Sequence, residues 1–550
     1  MRFVSPFLFC LLFSLSALAQ TYKYTVDANN IITTLDPTGG IGFGTMHPNF
    51  CVVRAEDSAS LLSGSWCWLA GKDQFGTIRT LNPDWDQTEY ELIVGPYSEY
   101  FDSKPESEKI LAYAPFQRVW KITQNEIDEH ILHFNDADYE MPEAILNWPG
   151  NGDTVKGFAK ILAPFVDFNQ NEIYEPALGD HPVIKGDVAV FAIYNDRGTG
   201  ELTDYNPEMD IEVHVMLYAF YDDVNSLLGN TFFANYSIVN RGFYDYSDFY
   251  IGLFSSVDLG YWADDYVGSD STLNLFYVYN GDDFDEGIES MSGFYPGFGS
   301  KLPAFGCMSL NESLHAYMFR NGDVPSPTAY PILPLHIWYC MDGKFRDGTQ
   351  MIEYGSGYGG PEDGPSTNFM WHDDPRNPEG WSEVTENNLP YNRSHWASTG
   401  PFNFHPGEKR CAEFAYIFAP GEENAERFSE ITKLKNFAAQ LKALYPFMYD
   451  DACISYKTDS LEEEIVTYPD KFEIYPNPSS GSIEFYAGQN PESDIVVELY
   501  DLTGKLIEMY NFSNTSGNLH TIELPPLANQ MYILRFNLDG HEFSRKIIVN

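Results

Sequence analysis

The chain of 550 residues carries 80 acidic and 32 basic side chains, a formal net charge of −48, and its hydrophobic share is 43%. That charge repels phosphate backbones and anionic lipid, which excludes nucleic acid as a partner and argues against docking on a membrane surface. The apolar content is too high for a disordered chain and the length too great for one core, so two or more domains are expected.

Residues 1–19, MRFVSPFLFCLLFSLSALA, place Arg2 ahead of an apolar stretch and end on a small-residue cleavage site before Gln20. This reads as a secretory signal peptide, and no later run is apolar enough to span a bilayer. Cys10 lies within it, in a poor lipoprotein context. The other six cysteines, Cys51, Cys67, Cys307, Cys340, Cys411 and Cys453, would then meet an oxidising compartment that permits disulfides. None forms a C-x-x-C metal knuckle, and proximity along the chain makes Cys51–Cys67 the expected bridge.

Residues 20–455 are expected to form a β-rich, sandwich-type body with room for two subdomains. An aromatic share of 16%, with 34 Pro and 43 Gly, favours strands joined by turns. In DIEVHVMLYAF, Ile211, Val213, Val215, Leu217 and Ala219 alternate onto one face. Long Gly/Pro/Asp-rich loops, notably 354–383, separate such segments and are where binding surfaces usually lie. Near the end of the body, Phe428, Ile431, Leu434, Ala438, Leu441 and Tyr445 recur at steps of three and four, which predicts one long amphipathic helix packed on the sheet.

DFNQNEIYEPALGD offers the clearest metal constellation. Asp167, Asn169 and Asn171 occupy positions 1, 3 and 5 of a calcium loop, the Ile173 carbonyl falls at position 7, and Glu175 or Asp180 would close the shell. Glu172 stands where Gly is expected and Leu178 at position 12, so an EF-hand is not supported; the competing reading is an Asx-rich turn without an ion. A structural Ca²⁺ is the expectation. A second oxygen-rich run holds Asp258, Asp264, Asp265 and Asp270, then Asn280, Asp282, Asp283 and Asp285. Carboxylates so close must be solvated or bridged by metal.

Catalytic signatures such as H-E-x-x-H, G-x-S-x-G or a Walker loop are absent from the sequence. Glu212 and His214 share a strand face beside Asp210 and could transfer protons, but a satisfied polar strand face is the simpler reading. Asp373, Asp374, Glu379 and Glu383 near Trp371 and Trp381 are what a glycosidase needs, and also what any acidic aromatic loop contains. His130 and His133 lack a third ligand and read as a surface pair. Trp66, Trp68, Trp262, Trp371, Trp381 and Trp396 could stack on sugar rings, with burial in hairpin cores the alternative.

After Pro446, residues 456–471 are polar, acidic and aperiodic, as a linker is, and residues 472–550 resume short strands at the spacing of a small immunoglobulin-like β-sandwich. Here the sequence resembles a known family. Tyr475-Pro476-Asn477-Pro478 with Gly481, Tyr500-Asp501-Leu502-Thr503-Gly504-Lys505, Leu527 with Tyr532, and the closing Lys546-Ile547-Ile548-Val549 are similar to the type A C-terminal sorting domain of the type IX secretion system. Gln530 departs from it, standing where that family has Gly. The resemblance implies a folded address read by the outer-membrane translocon of Bacteroidota and clipped by a sortase-like peptidase, with the cargo released or held at the cell surface. Asn147 to Asp153, Ala163 to Asp180, the 258–270 run and Ser398 to Glu408 also resemble a segment recurrent in secreted proteins with such tails, which implies architecture and export rather than a mechanism. The expectation is a secreted or cell-surface protein that binds or adheres, to glycan or another surface polymer. Its alternatives are a polysaccharide-acting hydrolase using loop carboxylates and a purely structural surface component.

Overall fold

The computed structural model describes residues 24–42, 51–54, 59–83, 92–197, 207–290, 293–321, 328–423, 425–449, 451–458, 474–475, 481–486, 495–501, 505–512, 519–528, 530–538 and 541–549. The predicted signal peptide, most of the predicted linker, Pro476 to Pro478 and the Thr503-Gly504 turn lie outside them.

Two large antiparallel sheets build the body. The larger, nine-stranded among the described residues, runs in space from Asp265–Asp270 through Leu275–Asn280, Ala304–Ser309, Lys409–Ala419, Thr231–Asn240, Ile211–Ala219 and Val188–Asn195, with Ile93–Val94 and Trp120–Thr123 both pairing with the last. The second runs Leu314–Asn321, Arg393–Phe404, Tyr246–Val257, Gly64–Lys72, Ile78–Leu81. Strand periodicity assigns the faces. Ile211, Val213, Val215, Leu217 and Ala219, as expected, join Phe232, Ala234, Tyr236 and Ile238 in a core shared with Trp68, Leu69, Leu253 and Phe254 of the second sheet. The intervening residues, among them Met216, Tyr218 and Phe233, face the other way into a second core.

Helices cover that second face. The predicted long helix is present as Ser429–Met448, with Ile431, Leu434, Ala438, Leu441 and Leu444 buried against strands Ala304–Ser309 and Lys409–Ala419. Short helices at Glu106–Tyr113 and Gln124–His133 were not foreseen. The latter is held at its start by a capping box, in which Thr123 Oγ1 accepts from the Glu126 N–H at 3.2 Å and the Thr123 N–H donates to Glu126 Oε2 at 2.8 Å.

The tail forms two small sheets. One pairs Ile474–Tyr475, Ser482–Tyr486 and Leu519–Glu523; the other pairs Leu506–Phe512, Ile495–Tyr500, Gln530–Leu538 and His541–Val549. Ile483, Phe485, Ile495, Val497, Leu499, Ile522, Tyr532, Leu534 and Phe536 make a core of their own between them. The opposite face, through Ile533 and Tyr500, rests beside Leu444 and Phe447 at the end of the long helix.

The disulfide expectation needs correction. Cys411 and Cys453 are bonded, whereas Cys51, Cys67, Cys307 and Cys340 are free and buried. Cys51 lies in a separate four-stranded sheet of Tyr24–Val26, Ile31–Leu35, Cys51–Val53 and Ser60–Leu62, and Cys67 in the second large sheet, so closeness along the chain misleads.

Candidate functional site

The 167–180 loop folds back on its own carboxylates. Asp167, fully buried, accepts the Asn171 N–H at 3.2 Å and the Glu172 N–H at 2.6 Å, and takes the Tyr456 hydroxyl as well. Asn169 Oδ1 accepts from Asn171 N at 3.2 Å, Asn171 Oδ1 from Ile173 N at 2.8 Å, and Asn171 Nδ2 donates to Glu175 at 2.6 Å. Asp180, also fully buried, clamps the ends together through the N–H groups of Phe168 and Glu175, at 2.8 and 2.6 Å. Glu172 has φ of 58° and Gln170 φ of 60°, so the backbone makes the left-handed bend at position 6 although the residue there is not glycine. Burial and the charges of Asp167 and Glu175 raise the Asp180 carboxyl against the two amides it accepts. The six predicted ligand residues are therefore brought into one loop, and its side-chain oxygens are already engaged by that loop's own amides. Among the described residues no three His, Cys, Asp or Glu side chains form a group poised to hold a metal.

The second acidic run divides. Asp282 and Asp283 are exposed, Asp270 pairs with Lys435 at 3.0 Å, and Asp258 is half-buried. Asp264, Asp265 and Asp285 are 5%, 0% and 2% exposed. Burial, reinforced by neighbouring acids, pushes Asp264 up to about 7 and Asp285 to about 6, and Asp265 well above the carboxylate range.

A cleft of about 320 Å³ opens on the helix-facing side of the large sheet, a volume within the range of ligand sites. Its floor comes from four adjacent strands in register. His214 lies opposite Ser237 and Met216 opposite Asn235, Phe191 pairs with Met216 on the other side, and Lys409 faces Val239. Asn235, Ser237, Val239 and Arg241 line it by the period-2 rule. Ile161, Leu162 and Pro164 form one wall, and Ile454, Ser455 and Tyr456 the roof.

That roof is a strap fixed at several points. Cys453 is bonded to Cys411 on the floor, Asn235 Nδ2 donates to the Ala452 carbonyl at 2.7 Å, and Lys409 Nζ to the Ile454 carbonyl at 2.8 Å. Lys457–Thr458 then pair in parallel with Val166–Asp167. Behind it, buried Glu413 accepts from Lys185, Tyr218, Tyr445 and Asn235, which ties helix, sheet and strap together.

Glu212, fully buried beside His214 on the same strand face, accepts from Arg241 Nη2 at 2.6 Å, is 2.9 Å from His214 Nε2, and takes the Tyr97 N–H at 2.7 Å. Burial alone would raise its carboxyl, but His214 and Arg241 outweigh that and hold it at about 2. Burial lowers the His214 imidazole despite Glu212, so the ring is neutral at pH 7. The predicted Glu212–His214 pair is thus real, with Arg241 as a third member. Arg241, Lys409 and the strap escaped the sequence reading. The alternation through Asn235, Ser237 and Val239 was a readable sign of a polar strand face, but nothing local joins it to Tyr456 some two hundred residues on.

The remaining candidates are structural. Glu383 is buried in a two-point ion pair with Arg393, Asp374 pairs with Arg376 at 2.7 Å, and Asp373 accepts the Trp381 N–H at 2.8 Å. Glu379 is exposed. Trp66, Trp68, Trp371, Trp381 and Trp396 are buried in the first core, leaving Trp262 half-exposed against Tyr391. His133 is half-exposed, in keeping with a surface position, but His130 is buried, 3.2 Å from both the Tyr139 hydroxyl and the Asp180 carbonyl.

Comparison with known proteins separates the tail from the body. Residues 473–550 match the family model of the secretion system C-terminal sorting domain. No curated protein matches the chain. Solved structures similar to it include a polysaccharide lyase at 11% identity, covering 66% of this chain and 39% of that one, with a TM-score of 0.17. A GalM/aldose epimerase homologue from C. elegans has 8% identity, coverage of 73% and 100%, and a TM-score of 0.23. The adhesin domain of Epf from Streptococcus pyogenes has 8% identity, coverage of 66% and 91%, and a TM-score of 0.12. At those scores none bears on fold or activity, and the chain spans 39% of the lyase's length. Among the described residues no helix is long and apolar enough to cross a membrane. Residues 473–550 are a secretion system C-terminal sorting domain, and the chain that bears them is a type IX secretion cargo, a secreted or cell-surface protein.

Proposed function

We propose that the exported body is an extracellular binding protein whose ligand is an acidic glycan, taken in the strap-roofed cleft. The observation that carries this is the charge of the cleft. Arg241 and Lys409 line it in a chain of net charge −48; Arg241 and Glu212 neutralise each other, which leaves the positive charge of Lys409 over. Low-dielectric walls sharpen the field of that one charge, so a single carboxylate or sulfate of a sugar is held there against the repulsion of the surrounding acidic surface. Phe191 and Tyr456 supply apolar ring surface beside the charges, and Asn235, Ser237 and His214 supply hydrogen-bonding groups. The loop carboxylates that a hydrolase would use are committed to Arg393, Arg376 and a backbone amide, so they supply no free pair.

Calcium belongs to the same reading as a stabiliser at Asp167, Asn169, Asn171, Ile173, Glu175 and Asp180. Support comes from hard oxygens on alternate residues and from the left-handed backbone at Gln170 and Glu172.

Titration calorimetry of the full chain with an oligogalacturonate and with a neutral β-glucan tests the binding function. Binding of the acidic oligomer, weakened at least about tenfold by Lys409→Ala and by Arg241→Gln, is expected. Equal binding of the two polymers, or indifference to both substitutions, would overturn it. A steady release of reducing ends would bring the hydrolase back.

A further inference from the structure

We propose that Asp264 and Asp265, with Asn280 and Asp285 around them, form a divalent-cation site, selective for calcium, at the open end of the Asp265–Asp270/Leu275–Asn280 hairpin. This site is independent of the cleft and separate from the 167–180 loop.

The turn 259–261 gathers the acids. Asp265 Oδ2 accepts the Leu259 N–H at 3.2 Å, Asp285 Oδ1 accepts the Tyr261 N–H at 2.8 Å, and Asp285 Oδ2 accepts the Phe298 N–H at 2.7 Å. Gly260, at φ of 67°, is required for this approach: a Cβ there would stand 1.8 Å from Asp285 Oδ2. Asp264 follows directly, its carbonyl accepting the Gly281 N–H at 2.6 Å, and Asn280 lies opposite Asp265 across the hairpin and beside the Asp264 carboxylate.

Backbone amides thus satisfy Asp285 and one oxygen of Asp265. Oδ1 of Asp265 is buried without a hydrogen-bond partner, and the buried Asp264 carboxylate faces the Asn280 side-chain amide without a hydrogen bond of ordinary geometry. The cations that reach this end are used elsewhere, Lys435 on Asp270 and Arg427 on Asp283 and the Gly281 carbonyl. Buried ionised carboxylates need a counter-charge or a proton, and two adjacent acids that repel each other make the requirement stronger. Calcium fits because it accepts an irregular shell of hard oxygens around two charged ligands; Asn280 Oδ1 accepts the Asp282 N–H at 2.9 Å and its amide nitrogen faces Asp264, so the carboxylates themselves are the ligands and Asn280 orients Asp264. A triad of charged ligands is neither needed nor grouped there.

Terbium, a luminescent substitute for calcium, reads this site locally because Tyr261 and Trp262 lie in the same loop. With the full chain, terbium emission excited through the aromatic rings and competed away by calcium is expected. It should fall in Asp264→Asn/Asp265→Asn, persist in Asn169→Ala/Asn171→Ala, and disappear when the four substitutions are combined, because Tyr456 and Tyr174 can sensitise an ion in the 167–180 loop as well. Calcium should also raise the wild-type Tm by a few degrees, a rise that is reduced in the Asp264→Asn/Asp265→Asn variant. Should that variant fail to fold, calcium stoichiometry by equilibrium dialysis of Asn169→Ala/Asn171→Ala decides, with at least one retained ion expected. No emission from the wild type, or emission abolished only by the Asn169/Asn171 substitutions, would overturn the site. The latter outcome would leave the 167–180 reading standing.

Discussion

Glu383 and Arg393 are both fully buried, bonded from Nη2 to Oε2 at 2.7 Å and from Nε to Oε1 at 3.1 Å, and Glu383 also accepts the Val267 N–H at 2.8 Å. Removing the charge of one partner leaves the other desolvated and uncompensated. Glu383→Gln should therefore cost about 3–5 kcal/mol. Asp374→Asn, which breaks the half-exposed pair with Arg376, should cost about 1 kcal/mol or less. Urea unfolding of the two variants checks the contrast, and equal losses would refute a structural role for Glu383. The same residues show where sequence reading stops. An acidic loop with Trp371 and Trp381 looks like a sugar site because composition carries no burial; only tertiary packing puts both rings in the core, 4.8 Å apart, and spends the carboxylates on arginines and amides. Asp264 and Asp265 show the reverse, since the run was visible but its loss of solvent was not.

At the level of elements, regular periodicity was legible and short or cap-stabilised pieces were not. Alternation placed Ile211 to Ala219 correctly, and the three-four spacing placed the helix Ser429–Met448. The helix Gln124–His133 draws its stability from a Thr123–Glu126 box and from docking Ile127 and His130, signals too local to outweigh a strand-rich composition. The cleft was partly readable, through Glu212 and His214, because strand spacing alone puts them on one face. Its roof depends on Cys411–Cys453, a bridge spanning 42 residues that chain proximity could not suggest. Closing a loop of that length stabilises a chain by about 3–4 kcal/mol in the entropic account. Cys411→Ser/Cys453→Ser should lower stability by an amount of that order and weaken oligogalacturonate binding as well, because the strap is freed. Calorimetry and thermal melting measure both. Lost stability with unchanged affinity would detach the strap from the ligand site.

Across the whole molecule, a large two-sheet body and a small sandwich with a core of its own meet where Ile533 and Tyr500 join the body's second core at the end of the long helix and where Lys546 sits over Phe220. The tail was the most legible part of the chain, since its strands alternate cleanly and its family is recognised by short motifs in fixed order. The body's ligand was the least legible, because its site is assembled from four strands and a distant strap. The export account is tested most directly by following the full chain and a chain lacking residues 473–550 in a bacterium with a working type IX system, using antibody against the body to compare the medium and cell surface with the periplasm. The full chain is predicted outside the cell and the truncated chain in the periplasm. Delivery of the truncated chain to the outside at the level of the full chain would contradict the account.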